Sequence, residues 1–138
     1  LATTWGYVSD ETLAVEQDGR VLAYPKPLSL LAAPDAAVKD QQAPADLGLA
    51  SAPSDLRLVA VALLHRLDGG PRPPRVEVVP TVHALAALAP ETSYFTQQRA
   101  PLRGLARLLT ATGGLRRVTY AEASDLRPTV AELLRAPA

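Results

Sequence analysis

The sequence predicts an α/β protein, with a mixed α+β arrangement as the near variant, and three observations lead there. Asp18-Gly19 sits between two short alternating segments, the signature of a β-hairpin. Leu58 to Leu64 is an unbroken aliphatic run, the composition of a strand covered on both faces. Behind Pro101 and behind Ser124-Asp125, leucine and valine recur at helical spacing, so helices gather in the second half.

Each element has its own signal. Gly6 to Ser9 reads as a short buried strand ending on Asp10 and Glu11. Thr12 to Gln17 alternates, and Asp18-Gly19 supplies the residues a type I′ turn prefers. Arg20 to Tyr24 returns as the partner strand until Pro25-Lys26-Pro27 stops it, because proline lacks a ladder donor and restricts its predecessor. Leu28 to Ala32 reads as another strand. Residues 33–54 are rich in Ala, Pro, Asp, Gln and Ser and predict a long surface loop with room for one helical turn.

The apolar run within Asp55 to Asp68 predicts a central strand, and Gly69-Gly70-Pro71-Arg72-Pro73-Pro74 breaks it. Arg75 to Val79 is a brief strand closed by Pro80. Thr81 then caps a helix to about Ala89 with Val82, Leu85 and Leu88 on one face. Pro101 opens a helix to Thr112 with Leu102, Leu105, Leu108 and Leu109 inward, and Gly113-Gly114 stops it. Leu115 to Tyr120 is a strand. Ser124 or Asp125 caps a last helix carrying Leu126, Val130, Leu133 and Leu134 at i, i+4, i+7 and i+8. The whole chain, 1–138, reads as one domain.

Composition narrows the function classes. Of 138 residues, 48% are hydrophobic and only 4% aromatic, with no Cys or Met, so the core must be Leu, Val and Ala. Without thiols there is neither a disulfide frame nor a cysteine-based metal site or nucleophile. The longest aliphatic run falls far short of the roughly 20 residues that cross a bilayer, and no secretory signal pattern precedes the domain. A cytoplasmic location without membrane partners is the expectation.

Net charge is zero but uneven. Residues 1–56 hold three basic and eight acidic side chains, and residues 57–138 hold eleven and six, giving −5 and +5. Arg99, Arg103 and Arg107 recur every fourth residue, with Arg116 and Arg117 following. They lie opposite the leucines without interleaved aromatics, which is a solvated face rather than a nucleic-acid surface. His65 and His83 have no ligands at metal spacing. There is no G-x-S-x-G nucleophile turn and no G-x-x-x-x-G-K-[ST] phosphate loop.

What remains is the acidic strand end. Carboxylates at the carboxyl end of a buried strand are where α/β proteins place magnesium ligands in nucleotide sites, and a hard cation needs only one or two carboxylates plus phosphate oxygens. Asp10 and Glu11 are therefore the candidate catalytic and metal-binding residues, and solvated turn acids are the plain alternative. Lys26 is the candidate phosphate-binding residue, because its proline neighbours stiffen the backbone that aims it. An exposed lysine on a rigid turn is its alternative.

Over GYVSDETLAVEQDGRVLAYPKPLSL, residues 6–30, the chain resembles the HPr kinase/phosphorylase-like branch of P-loop kinases, in particular HPr-kinase-related ATP-binding proteins. Ser9, Asp10 and Glu11 stand at that branch's acidic strand end, and Lys26 stands in its proline segment. More loosely, the resemblance continues through the strand Leu58 to Leu67, the helix after Pro80, the LRRVTY strand and the AEASDLRPTVAELL helix. It implies a P-loop kinase-like mixed sheet with helices, lacking the first βα unit. It further implies that Asp10 and Glu11 hold magnesium or orient an attacking hydroxyl, and that Lys26 approaches phosphate.

The family's Gly-rich loop has no counterpart in these residues, and that loop supplies most of the phosphate cradle. The expectation is a C-terminal portion of a longer Mg-ATP-dependent transferase acting on a protein or peptide serine, inactive or weak as it stands. A non-catalytic interaction or scaffolding domain, homodimeric in form, is the alternative.

Overall fold

The computed structural model describes residues 5–31 and 38–135. The chain is mixed α/β and divides into two compact units, Leu1–Arg57 and Leu58–Ala138.

Among the described residues the first unit holds seven short strands: β1 (Gly6–Tyr7), β2 (Ala14–Val15), β3 (Arg20–Leu22), β4 (Leu28–Leu31), β5 (Lys39–Gln42), β6 (Ala50–Ser51) and β7 (Leu56–Arg57). β2 and β3 form the expected hairpin, and β7 adds antiparallel to β3, opposing Leu56 to Val21. Val21 is the buried centre of that sheet.

The turn is not type I′. Only Gly19 has positive φ, at 83°. Its amide reaches the Glu16 carbonyl at 3.0 Å, while Glu16 N–H donates to the Arg20 carbonyl at 2.8 Å. This is the three-residue loop with a bulged glycine. Asp18 escapes positive φ and instead accepts from the Arg20 amide at 3.0 Å.

Residues 38–54, read as part of a loop, contain two strands. β5 pairs antiparallel with β4, Leu28 opposite Gln42 and Leu31 opposite Lys39, and β6 pairs parallel with β1, Gly6 opposite Ala50. Their sequences, KDQQ and AS, lack the apolar signal because little of either strand is buried; backbone pairing makes them, joined in β5 by a 2.6 Å hydrogen bond from Gln41 Nε2 to Ser29 Oγ on β4. Between them, overlapping turns over 43–49 include a 3.0 Å bond from Leu49 N–H to the Pro44 carbonyl. Residues 32–37 of the same expected loop, with Ala32 of the expected strand, lie outside the described residues.

The second unit holds β8 (Val61–Arg66), β9 (Arg75–Val79), α1 (Thr81–Leu88), α2 (Pro101–Ala111), β10 (Leu115–Tyr120) and α3 (Leu126–Leu133). The sheet order is β8-β10-β9, with β10 parallel to β8 and antiparallel to β9. The aliphatic run expected as the central strand is thus an edge strand. Nor is it covered on both faces: Val61 and Leu63 pack against the core, while Leu64 on the other pleat is exposed. β10 takes the centre, and Leu115 and Val118, on opposite pleats, are both fully buried.

Val61, Leu63, Val79 and Leu115 share one sheet face, against which Ala84, Leu85, Leu88 and Leu109 pack. Ala84 is 1% exposed; its small side chain lets α1 approach closely and fixes which face turns inward. Val82 consequently points out, 76% exposed, and Leu102 in the first turn of α2 is also exposed, against the inward placement predicted for both.

Helix ends follow the punctuation more closely. Pro101 is the first residue of α2. Gly113 and Gly114 both take positive φ, and the Gly114 amide reaches back to the Leu109 carbonyl at 2.7 Å, a Schellman closure. Thr81 is not a cap: Pro80 holds that position in α1. Asp125 is the N-cap residue of α3, without a side-chain capping bond.

These placements separate two valines and leucines that look alike in sequence. Leu115→Ala should cost about 2–5 kcal/mol of unfolding free energy in urea titrations, and Val82→Ala less than about 0.5 kcal/mol. Comparable losses at both positions would contradict this orientation of α1.

Candidate functional site

β1 carries the chain to the acidic turn. A Cβ on Gly6 would lie 2.8 Å from both Ala52 Cα and the Ser51 carbonyl oxygen, so only glycine lets β1 approach β6 this closely. The next residue on the opposite pleat, Tyr7, is half-buried. Its phenol hydroxyl lies 3.2 Å from Asp10 Oδ1 and 3.2 Å from the Lys26 carbonyl oxygen, sharing one proton between two acceptors.

Beyond Tyr7, the Val8 carbonyl accepts from the Tyr24 amide at 3.3 Å, joining the end of this segment to the start of the proline segment. Ser9 Oγ accepts from the Glu11 amide at 3.4 Å, which shapes the turn. The Lys26 ammonium donates to Glu11 Oε2 in an ion pair. The three residues singled out from sequence, Asp10, Glu11 and Lys26, are therefore brought together, although Glu11 and Lys26 are fifteen positions apart. The two carboxylates part company, Asp10 turning to Tyr7 and Glu11 to Lys26.

The Glu11 side chain is 60% exposed and that of Lys26 30%. The hydrogen bond that the Lys26 ammonium donates to Glu11 raises the Lys26 pKa, against a smaller opposing effect of desolvation. Partial desolvation, then the Asp10 carboxylate, raises that of the Tyr7 phenol.

Tyr7 is the residue sequence reasoning missed. Its signal was its rarity, one of four tyrosines in a chain with 4% aromatics, standing three residues before the first acid. It also lines a half-open cavity of about 270 Å³, with Pro25, Pro44, Leu49 and Ala50 among the walls. Its lining is mostly apolar and carries no charged residue.

Several other charged groups have structural partners. Arg72 Nε lies 3.3 Å from Asp125 Oδ2, and Arg66 Nη2 lies 3.5 Å from Glu122 Oε2. Arg66 Nε also donates to the Ala121 carbonyl at 3.1 Å. These contacts pin the Gly-Gly-Pro loop to the chain leaving β10. Arg103 and Arg107 are exposed along α2, Arg99 falls before the helix begins, and the Arg116 guanidinium donates to the Gly113 carbonyl. Both histidines are exposed. Among the described residues no group of three or more His, Cys, Asp or Glu could hold a metal ion, and no helix is long and apolar enough to cross a membrane.

Searches against known protein families, curated proteins and solved structures returned no match.

The raised pKa values fix the sign of a pH effect. Both groups are favoured in their protonated forms in the folded state, so their contributions are complete below their ordinary values near 10 and vanish as pH rises through the raised ones. The urea midpoint of the wild type should fall more steeply above about pH 10 than that of a Tyr7→Phe, Lys26→Gln double variant. Superimposable alkaline limbs would contradict the arrangement.

Proposed function

We propose that the chain is the C-terminal part of an HPr-kinase-like ATP-binding protein whose full-length form phosphorylates a serine on a protein or peptide. On this reading the fold is a P-loop kinase-like core lacking its first βα unit, and the protein works in the cytoplasm. The observation that carries it is the clasp of Lys26 on Glu11 beside Asp10, at the end of a strand that pairs in parallel. A fixed ammonium and two acids within one turn suit a phosphate and its cation.

The donor set fits magnesium in one mode only. Two carboxylates cannot enclose a hard cation, but magnesium normally keeps several waters and shares phosphate oxygens with one or two carboxylates. Asp10 and Glu11 would hold it so, and bound magnesium would neutralise phosphate charge there. Tyr7 orients Asp10. Glu11 holds Lys26 until a phosphate oxygen competes for the ammonium. Phosphoryl transfer needs little beyond such positioning and charge neutralisation.

The cradle of backbone N–H groups has no counterpart in these 138 residues, so another stretch of protein must supply it. That gap favours, as a second reading, a non-catalytic interaction domain.

Calorimetric titration of Mg-ATP separates the two readings. Binding to the chain alone should be weak, and Asp10→Asn should weaken it roughly tenfold, about 1.4 kcal/mol. A G-x-x-x-x-G-K-[ST] loop encoded upstream of Leu1 is also expected. Absence of any Mg-ATP heat together with an upstream sequence lacking that loop overturns the kinase reading.

A further inference from the structure

The second unit presents a free strand edge whose composition does not suit it. β8 ends the sheet order, and among the described residues its outer edge has no ladder partner. An edge of this kind is a template for another strand unless it is blunted by proline, lysine, a bulge or shortness. β8 has six residues, VALLHR, with no proline or lysine.

The opposite edge differs. β9 has a proline immediately before it, Pro74, and one immediately after it, Pro80, and carries an Arg75–Glu77 ion pair at 2.9 Å along its five residues. The sheet is thus guarded on one side and open on the other.

Side chains agree with the backbone. Leu63 turns toward the helix-covered face, while Leu64, on the other pleat, is 57% exposed although it lies beside fully buried Val118 in the ladder. The exposed apolar group therefore sits beside the free edge. We infer that β8 is a self-association edge, and that its partner is the β8 strand of a second copy of this chain.

Self-complementarity selects that partner. A two-fold axis perpendicular to the sheet makes the added strand antiparallel and keeps like faces together. With the axis at Leu64, the two exposed leucines meet across it, Leu63 faces His65 of the second copy, and Ala62 faces its Arg66. With the axis at Leu63, Val61 faces His65 and Ala62 faces Leu64. Neither register opposes like charges. The single cation of the strand, Arg66, is already directed to Glu122 and the Ala121 carbonyl of its own copy. This assignment is independent of the nucleotide reading, since it uses none of residues 6–27.

Sedimentation velocity on the whole chain over about 1 μM to 1 mM should show a reversible monomer–dimer equilibrium. Leu64→Lys, which places an ammonium group on the pairing edge in either register and sets two against each other when the axis is at Leu64, should weaken it at least about tenfold while leaving the far-ultraviolet circular dichroism unchanged. Amide hydrogen exchange provides a readout that needs no variant: amides of residues 61–66 should become slower as protein concentration rises. A wild type that stays monomeric throughout overturns the inference, and so does a dimer whose 61–66 amides exchange no more slowly than in the monomer.

Discussion

The clasp between Lys26 and Glu11 is the contact on which the candidate site depends. It closes a loop that starts at the end of β1, passes through the β2–β3 hairpin and returns along Tyr24-Pro25-Lys26. An exposed ion pair of this kind adds little to stability, so its importance is positional. Tyr7 does the complementary work from within the strand, because its hydroxyl touches both Asp10 and the Lys26 backbone. The missing side chain of Gly6 permits β1 to lie where Tyr7 can do this. A small set of local constraints thus converts two neighbouring acids and a distant lysine into one charged group.

Stability and site are separate concerns in this molecule. The best-buried residues, Ala84, Leu109, Leu115 and Val118, all belong to the second unit, while the candidate site belongs to the first. Within the second unit the main aliphatic cluster lies on one face of a three-stranded sheet, and Val118 is buried on the other. Sheets of short strands with few buried side chains, as in the first unit, rely on backbone ladders, turns and close glycine contacts. Such structure opens more readily than a packed core.

Much of this was legible in the sequence where one residue type had one physical meaning. Pro101 and Gly113-Gly114 bounded α2 because proline tolerates a helix start and glycine a left-handed stop. Asp18-Gly19 located the hairpin, although not its turn type, since a bulged glycine needs positive φ at only one residue. Asp10, Glu11 and Lys26 stand out in the sequence because charge at a strand end and between prolines is conspicuous, and the fold brings them together. Legibility failed where the signal was about neighbours. The run Leu58 to Leu64 predicts a central strand covered on both faces, but hydrophobicity alone fixes neither edges nor faces: β10 holds the centre, and Leu64 of β8 is exposed. Val82 and Ala84 compete for the inward face of α1, and only tertiary packing shows that the smaller one wins. KDQQ in β5 has no strand-like composition at all, and its pairing with β4 rests on the backbone ladder and the polar Gln41–Ser29 contact rather than on apolar packing. Tyr7 was passed over because a tyrosine in a short strand is ordinarily packing, and its role lies in what its hydroxyl reaches.

The most direct test of the account is paramagnetic. Manganese substitutes for magnesium and broadens nuclear resonances near it, so amide spectra of the isotopically labelled chain can be recorded with manganese and ATP together. If the acidic strand end meets a phosphate-bound cation, amides of residues 9–12 and 24–27 should broaden first, and Glu11→Gln should reduce that broadening. Uniform broadening over the surface, or broadening centred on residues outside this turn, would contradict it.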